Sequence, residues 1–288
     1  MKLRLPPLLV EGLAKREYPL KYSLFRLLRA AGFLKLELTF RLGDGELYAP
    51  ADEWNFWRLR DVARYDPDLT TLCRFVNERI GEFDLLDLGA DIGMVSRFVH
   101  SECPGLRSVT AVEPNPFSFA YLERNLRTLP IPAKALKMAV SDFTGLARLE
   151  FDPMRQSDHA GHIEVGEAGD NMVAVETVDR IFVPRARDLV MKIDVEGEER
   201  AVCGGAQETV QRAERVVLFM EVHPDVIRRT GGSAEELFEA AEAIRPCEWF
   251  LSDPGMPRVD RRRHFFQQFP QVRQHDVIGF MEPRPLSR

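Results

Sequence analysis

Asp84-Leu85-Leu86-Asp87-Leu88-Gly89-Ala90-Asp91-Ile92-Gly93 is the stretch from which the rest of this chain is read. An apolar strand runs into Asp87, and a short turn follows with glycine at 89 and 93. Met94, Val95, Phe98 and Val99 then recur on one face of a helix. Strand, glycine turn and helix N-terminus make the cofactor corner of an open α/β sheet. Dinucleotide sites place a further glycine where Asp91 stands, so that backbone can approach a pyrophosphate. A carboxylate there repels phosphate and disfavours a dehydrogenase. Asp87, at the end of the strand, suits a cationic, amino-bearing cofactor instead, and S-adenosylmethionine fits with its sulfonium and α-amino group. The plain alternative is a βα turn that needs glycine only for positive φ.

A second acid lies 20 residues beyond Gly93. Ser108-Val109-Thr110-Ala111-Val112-Glu113 predicts a short strand ending in Glu113. An acid at that strand end grips a ribose diol, because a carboxylate accepts two hydroxyl hydrogen bonds; otherwise it is a solvated strand end. Asn115 is placed as a helix N-cap with Pro116 at the first helical position. Phe119, Leu122, Leu126 and Leu129 give that helix its buried face.

The chain has 288 residues, 45% hydrophobic and 29% charged, as expected of a globular protein with ample core. Its net charge of −6 disfavours a nucleic-acid partner. Cys73, Cys103, Cys203 and Cys247 form no CxxC pair, which argues against a zinc site or disulfide scaffold and for a reducing, cytoplasmic compartment. No apolar run is long enough to span a membrane. Lys2 and Arg4 precede a short, proline-broken apolar stretch, a poor signal peptide.

Residues 1–80 read as a mostly helical cap or substrate region and 81–288 as the catalytic domain. Tyr22–Ala31 is amphipathic and basic. It suits weak attachment to the inner face of a membrane, or packing on its own domain. Leu36–Tyr48 predicts a small hairpin with Gly43-Asp44-Gly45 as its turn, and Trp54–Ile80 a helical region. After the strands ending at Asp87 and Glu113, Ala135–Val140 predicts a third. Gly145–Phe151 and Met172–Val175 predict a β-hairpin extension. Asp188–Asp194 and Arg215–Val222 predict the fourth and fifth strands. Ser233–Ile244 predicts a capped helix, and Trp249–Leu251 and Asp276–Met281 the last two strands. This alternation specifies a doubly wound α/β sheet.

In order along the chain stand DLGADIG at 87–93, VEPNP at 112–116, AVSDFTG at 139–145, VETVD at 175–179, KIDVEGEE at 192–199 and MEVHP at 220–224. As an ordered set they resemble the FkbM-type S-adenosylmethionine-dependent methyltransferases over about residues 80–225. Valine at 178, where leucine is commoner, is a conservative departure. The resemblance implies a Rossmann-like class I methyltransferase sheet of seven strands, the last antiparallel. It implies that Asp87, Gly89 and Gly93, with Asp91 in the same turn, hold the methionine end of S-adenosyl-L-methionine. Glu113 would hold the ribose, and Ser141 with Asp142 the adenine edge. Family members mostly methylate hydroxyls of sugars, glycolipids and polyketide-type products. A small-molecule or glycan acceptor follows as the expected partner, with the oligomeric state open.

Lys192, Asp194 and Glu196 alternate within an otherwise apolar strand, and such charges are costly unless paired. The acids fall at the strand's carboxyl end, where open α/β sheets bind ligands, so Asp194 is a candidate catalytic group and Glu196 a candidate substrate contact. A Lys192–Asp194 or Lys192–Glu196 ion pair is the structural alternative. Glu199 either faces the helix surface or braces Lys192. Glu221 and His223 share a face at the end of the fifth strand. His223 is the candidate general base, with Glu221 orienting it or touching substrate. Asp194, Glu221 and His223 also form an oxygen–nitrogen set for magnesium, although a metal-free base is preferred. Arg258, Arg261, Arg262 and Arg263, beside Phe265 and Phe266, suggest a phosphate clamp that uses Arg261 and Arg262, or a solvated loop with two core anchors. A non-catalytic binding protein on the same fold is the remaining rival.

Overall fold

The computed structural model describes residues 7–16, 18–34, 36–42, 45–53, 57, 67–151, 161–164, 166, 169–270 and 275–283. Two short helices, α1 (Pro7–Lys15) and α2 (Lys21–Ala30), lead into an antiparallel hairpin of β1 (Glu37–Leu42) and β2 (Gly45–Pro50). The expected turn residues 43 and 44, and most of 54–66, lie outside the described residues. Helix α3 (Pro67–Arg79) then delivers the chain to β3 (Phe83–Leu88).

From β3 onward strands and helices alternate. Helix α4 (Met94–Glu102) leads to β4 (Leu106–Val112), and α5 (Pro116–Leu126) to β5 (Ala133–Leu136). Short strands β6 (Ala139–Val140), β7 (Gly145–Glu150), β8 (His162–Glu164) and β9 (Met172–Glu176) form a separate four-stranded sheet, closed by the turn of helix α6 (Val178–Ile181). Strand β10 (Asp188–Ile193) is followed by α7 (Glu199–Gly204) and α8 (Gln207–Arg212), and β11 (Val216–Val222) by α9 (Pro224–Thr230) and α10 (Ala234–Glu242). Then come β12 (Glu248–Leu251), α11 (Phe265–Gln268) and β13 (His275–Met281). The main sheet has the order β12-β13-β11-β10-β3-β4-β5. Strand β13 is antiparallel to both neighbours, and the other pairings are parallel. This is the expected seven-stranded class I methyltransferase sheet, its last strand inserted antiparallel.

The third strand is shorter than its sequence suggests. Its pairing with β4 ends where β4 ends, with the Glu113 N–H on the Leu136 carbonyl. Released there, the chain turns away and Ala139–Val140 pairs with β9 instead.

Side chains two apart share a face of the sheet, and the core follows that parity. Phe83, Leu85, Val190, Val217 and Phe219 lie in one buried cluster with α3, α4 and α5. Leu86, Leu88, Met191, Ile193, Leu218 and Met220 lie in the other, with α7, α8 and α10. The first cluster also contains Val10, Ala14, Phe25, Leu38, Leu47 and Trp57, so the N-terminal segment completes the core on that face. A buried amide ties it down. Asn125 on α5 accepts the Tyr48 N–H at 2.7 Å and donates to the Tyr48 and Ile92 carbonyls at 2.8 Å each. Arg124 lies 3.5 Å from the Tyr48 ring centroid and pairs with Glu37 at 2.6 Å.

Candidate active site

Strand register brings the charges together. Lys192 on β10 is the direct neighbour of Asp87 on β3, and both have the parity of the α4 face. Ile193 pairs with Met220, so one step further Asp194 stands beside Glu221, itself paired with Asp276 on β13. A row of ionisable groups thus crosses the carboxyl ends of β3, β10 and β11 and the amino end of antiparallel β13.

Asp87 is fully buried, with Ser96 Oγ donating to its Oδ2 at 2.6 Å. Lys192 Nζ lies 3.7 Å from Asp87 Oδ1 and 3.1 Å from Asp194 Oδ2, and donates to the Gly89 carbonyl at 2.5 Å. Burial alone would lower the Lys192 ammonium. The carboxylates of Asp194 and Asp87 more than offset this and raise it above the usual lysine value. One buried cation therefore joins the glycine turn to the acidic row.

The turn itself is tightly determined. Gly89 has φ 72°, and a Cβ there would stand 1.7 Å from the Asp194 carbonyl, so glycine is required twice over. Asp91 adopts φ 46°, a left-handed conformation uncommon outside glycine. Its N–H donates to Glu113 Oε2 at 2.9 Å, while the Asn115 N–H donates to Glu113 Oε1 at 2.7 Å. Burial and the charge of Asp91 push the Glu113 carboxyl up to about 8, against the two N–H donors and Lys192. Each Glu113 oxygen keeps a second lone pair, as a diol acceptor needs. Gly93, at φ 87°, opens α4. Farther along, Ser141 is buried and donates to Glu198 at 2.6 Å, and Asp142 is exposed.

After β10 the loop turns sharply. Glu196 has φ 55° and Gly197 φ 119°. Glu199 neither faces the helix surface nor braces Lys192. It is buried and accepts the Val195 and Gly197 N–H groups at 3.1 Å each, which fixes the loop. Arg229 holds the Glu196 carbonyl at 2.6 Å. Asp194, Glu196 and Glu221 converge so that one oxygen of each lies within 4.8 Å of the others. Burial and the charge of Asp194 push Glu196 up to about 7, with Arg229 opposing. Burial, then Asp194 and Asp276, push Glu221 up to about 10. Raised in this way, the Glu221 carboxyl can hold a proton and share it with Asp194 in a hydrogen bond. The Asp194 side chain is 37% exposed, the most accessible of the group with Lys192 and Asp87. The arrangement leaves one accessible carboxylate beside the glycine turn.

Two expectations are corrected. Among the described residues, the set able to hold a metal is Asp194, Glu196 and Glu221, without His223. His223 instead caps α9, its Nδ1 accepting the Asp225 N–H at 3.1 Å, because Pro224 begins a helix there that sequence periodicity did not reveal. The arginine clamp also loses Arg261. Arg261 donates to Glu242 at 2.7 Å and lies 4.8 Å from the Phe238 ring centroid, so its guanidinium is committed to α10. Arg262 is exposed, Arg258 pairs with Glu248 at 2.6 Å, and Phe265 is buried. The loop folds back along β12, as the Phe250–Arg258 bridge shows.

A family model described as "Methyltransferase FkbM domain" matches residues 87–245. The hexuronic acid methyltransferase AglP of Haloferax volcanii is 29% identical over 175 residues, 59% of this chain and 67% of the relative. The 31-O-demethyl-FK506 methyltransferase FkbM of Streptomyces tacrolimicus is 41% identical over 69 residues, 24% of this chain and 26% of the relative. The crystal structure of methyltransferase FkbM from Methylobacillus flagellatus KT has a TM-score of 0.48 at 14% identity, covering 90% of this chain and 59% of that one.

Proposed function

This chain belongs to the FkbM methyltransferase family, and from that premise we propose that it is an S-adenosylmethionine-dependent O-methyltransferase acting on a hydroxyl of a carbohydrate or of a glycosylated or polyketide-type small molecule. The observation that carries the proposal is the acidic row beside the glycine turn, joined to it by Lys192. The residues fit the cofactor. Asp87 Oδ1 is buried without a hydrogen-bond donor, Gly89 leaves no room for a side chain, and Glu113 presents a carboxyl at the end of β4. Asp87, Gly89, Asp91 and Gly93 would hold the methionine end, Glu113 the ribose, and Ser141 and Asp142 the adenine edge. S-adenosylmethionine, when bound, supplies an electrophilic methyl group.

The chain's own residues do the rest. The Asp194 carboxylate accepts the proton of the acceptor hydroxyl, and protonated Glu221 orients it through their hydrogen bond. Lys192 is a positioning residue, which holds Asp194 and the Gly89 carbonyl in one geometry. Glu196, beside them, would meet a second acceptor hydroxyl. The names of the two relatives, one for a hexuronic acid and one for a demethylated FK506, support a sugar or polyketide-type acceptor. A uronic acid offers both hydroxyls and a carboxylate. The surplus of acid at this cleft repels a carboxylate at the reacting position and favours a hydroxyl.

The test is methyl transfer from labelled S-adenosylmethionine to uronic-acid glycans, nucleotide sugars and macrolide alcohols. Label in an alkali-stable ether is expected; label lost to mild alkali as an ester, or no transfer to any hydroxylated acceptor, would sink the proposal. The three converging carboxylates also favour a second scheme in which magnesium activates the hydroxyl. Loss of turnover in chelator, restored by magnesium, selects it. The Lys192 ammonium 3.1 Å from Asp194 already supplies positive charge there and favours the metal-free scheme.

A further inference from the structure

We propose that the α1–α2 end of the molecule seats on a negatively charged lipid bilayer. Seven large apolar side chains are strongly exposed among the described residues, and four of them, Leu9, Leu20, Tyr22 and Leu27, fall before residue 28. Leu20 is 78% and Leu27 65% exposed. Helix α2 already contributes its inner face, Phe25 and Lys21, to the interior. Leu20 and Leu27 are two turns apart and share the opposite face, with exposed Ser23 and Ala30 between and beyond them. Leu20 also holds φ 63°, an uncommon backbone for a branched side chain. A strained leucine that buries so little adds nothing to this fold's own core.

Charge selects the occupant. The first 35 residues carry eight basic and two acidic residues, net +6, on a chain of net −6, so the remainder is at −12. Exposed Arg16 and Arg26 accompany the apolar face. An apolar patch with two exposed arginines in a basic segment, on an otherwise acidic body, is attracted to anionic headgroups, while the body is repelled by them. That combination orients as well as binds. Among the described residues no helix is long and apolar enough to cross a membrane, so the contact is with the surface. Nothing in this attachment depends on the chemistry of the cleft.

The test is co-sedimentation of the full chain with vesicles of phosphatidylcholine alone and of phosphatidylcholine with phosphatidylglycerol, at low and high salt. Binding to the anionic vesicles at low salt is expected, weakened by salt, with little on the neutral ones. Leu20→Gln with Leu27→Gln should weaken it roughly tenfold. Arg16→Gln with Arg26→Gln should weaken it about fivefold per arginine and reduce its salt dependence. All four positions are on the surface, and an unchanged melting temperature with intact cofactor binding shows that each variant is folded. Equal partition of parent and variants, or no binding to anionic vesicles, overturns the proposal. So does a dimer in lipid-free light scattering that the Leu20/Leu27 variant dissolves, because the face then belongs to a second copy of the chain.

Discussion

The two ends of the main sheet both bury acids, and they treat them differently. At the amino end Asp188 is fully buried and saturated. Arg215 donates to both its oxygens, at 2.6 and 3.0 Å, and the Gly81 N–H adds a third bond. Asp84 nearby accepts from Ser108 and from the Arg185 and Ala186 N–H groups, at 2.6 to 2.8 Å. At the carboxyl end Asp87, Asp194, Glu196, Glu221 and Asp276 crowd around the buried cation Lys192 and the rim residue Arg229. Saturation makes scaffold. A surplus of one sign leaves carboxyls with raised pKa, which is what an acid–base site requires.

Mutation can break this contrast. Asp194→Asn should lower turnover by about 10²–10⁴-fold with cofactor affinity near normal, and Glu221→Gln should lower it less if orientation is its role. Single-turnover assays with calorimetry on the same variants decide it; full activity in Asp194→Asn removes the carboxyl end from the chemistry. At the other end, Asp188→Asn should cost stability instead, about 3–5 kcal/mol in denaturant unfolding, because it strands Arg215. If it lowered kcat in folded protein, the division between scaffold and site would be wrong. Glu113→Gln and Asp87→Asn should each weaken S-adenosylmethionine binding by about 1.5–3 kcal/mol.

Proton linkage sharpens the contrast further. Glu113 sits at about 8 in the folded chain, well above the ordinary glutamate value, so the folded state keeps a proton that the unfolded state has released. Its contribution to stability is therefore greatest at low pH and falls as pH rises towards 8, by about 1.4 kcal/mol per unit at most. Ribose hydroxyls donate to the ionised form. Cofactor binding at pH 7 should then release a proton, and affinity should tighten with pH and level off above about 8. Calorimetry in buffers of different ionisation enthalpy measures the release, which Glu113→Gln should abolish. The smallest effect belongs to the arginine loop. Arg261→Ser should cost about 1 kcal/mol of stability and leave the acceptor's KM unchanged.

The strands were legible because buried parallel strands are dense in β-branched and apolar residues. Asp87, Glu113 and Glu221 also sit at or just past the strand ends where the sequence puts them. The hairpin at 37–50 and the Asn115 cap were legible from turn and capping chemistry. Residues whose roles depend on distant partners were not. His223 shares strand parity with Glu221, but the helix begun by Pro224 engages its Nδ1. Arg261 stands in a basic run, but only the packing of α10 shows that Glu242 and Phe238 take it up. Lys192 was visible as an ion pair. Its bond to the Gly89 carbonyl crosses two strands, and no local pattern encodes it.

The Asn125 amide has a consequence for how the molecule is made. Its three bonds join Tyr48, Ile92 and the α5 helix, so the turn that carries Gly89 and Gly93 is finished only when three distant stretches have met. Residues 45–50 leave the ribosome first and must wait until residue 125 has followed. A fragment starting at residue 81 would lose both bonds to Tyr48 and the apolar cover that residues 10–57 give this face. The stretch that matches the family, 87–245, shares its buried core with residues that lie before it. The N-terminal hairpin, outside that stretch, serves as the built-in support on which the cofactor turn sets.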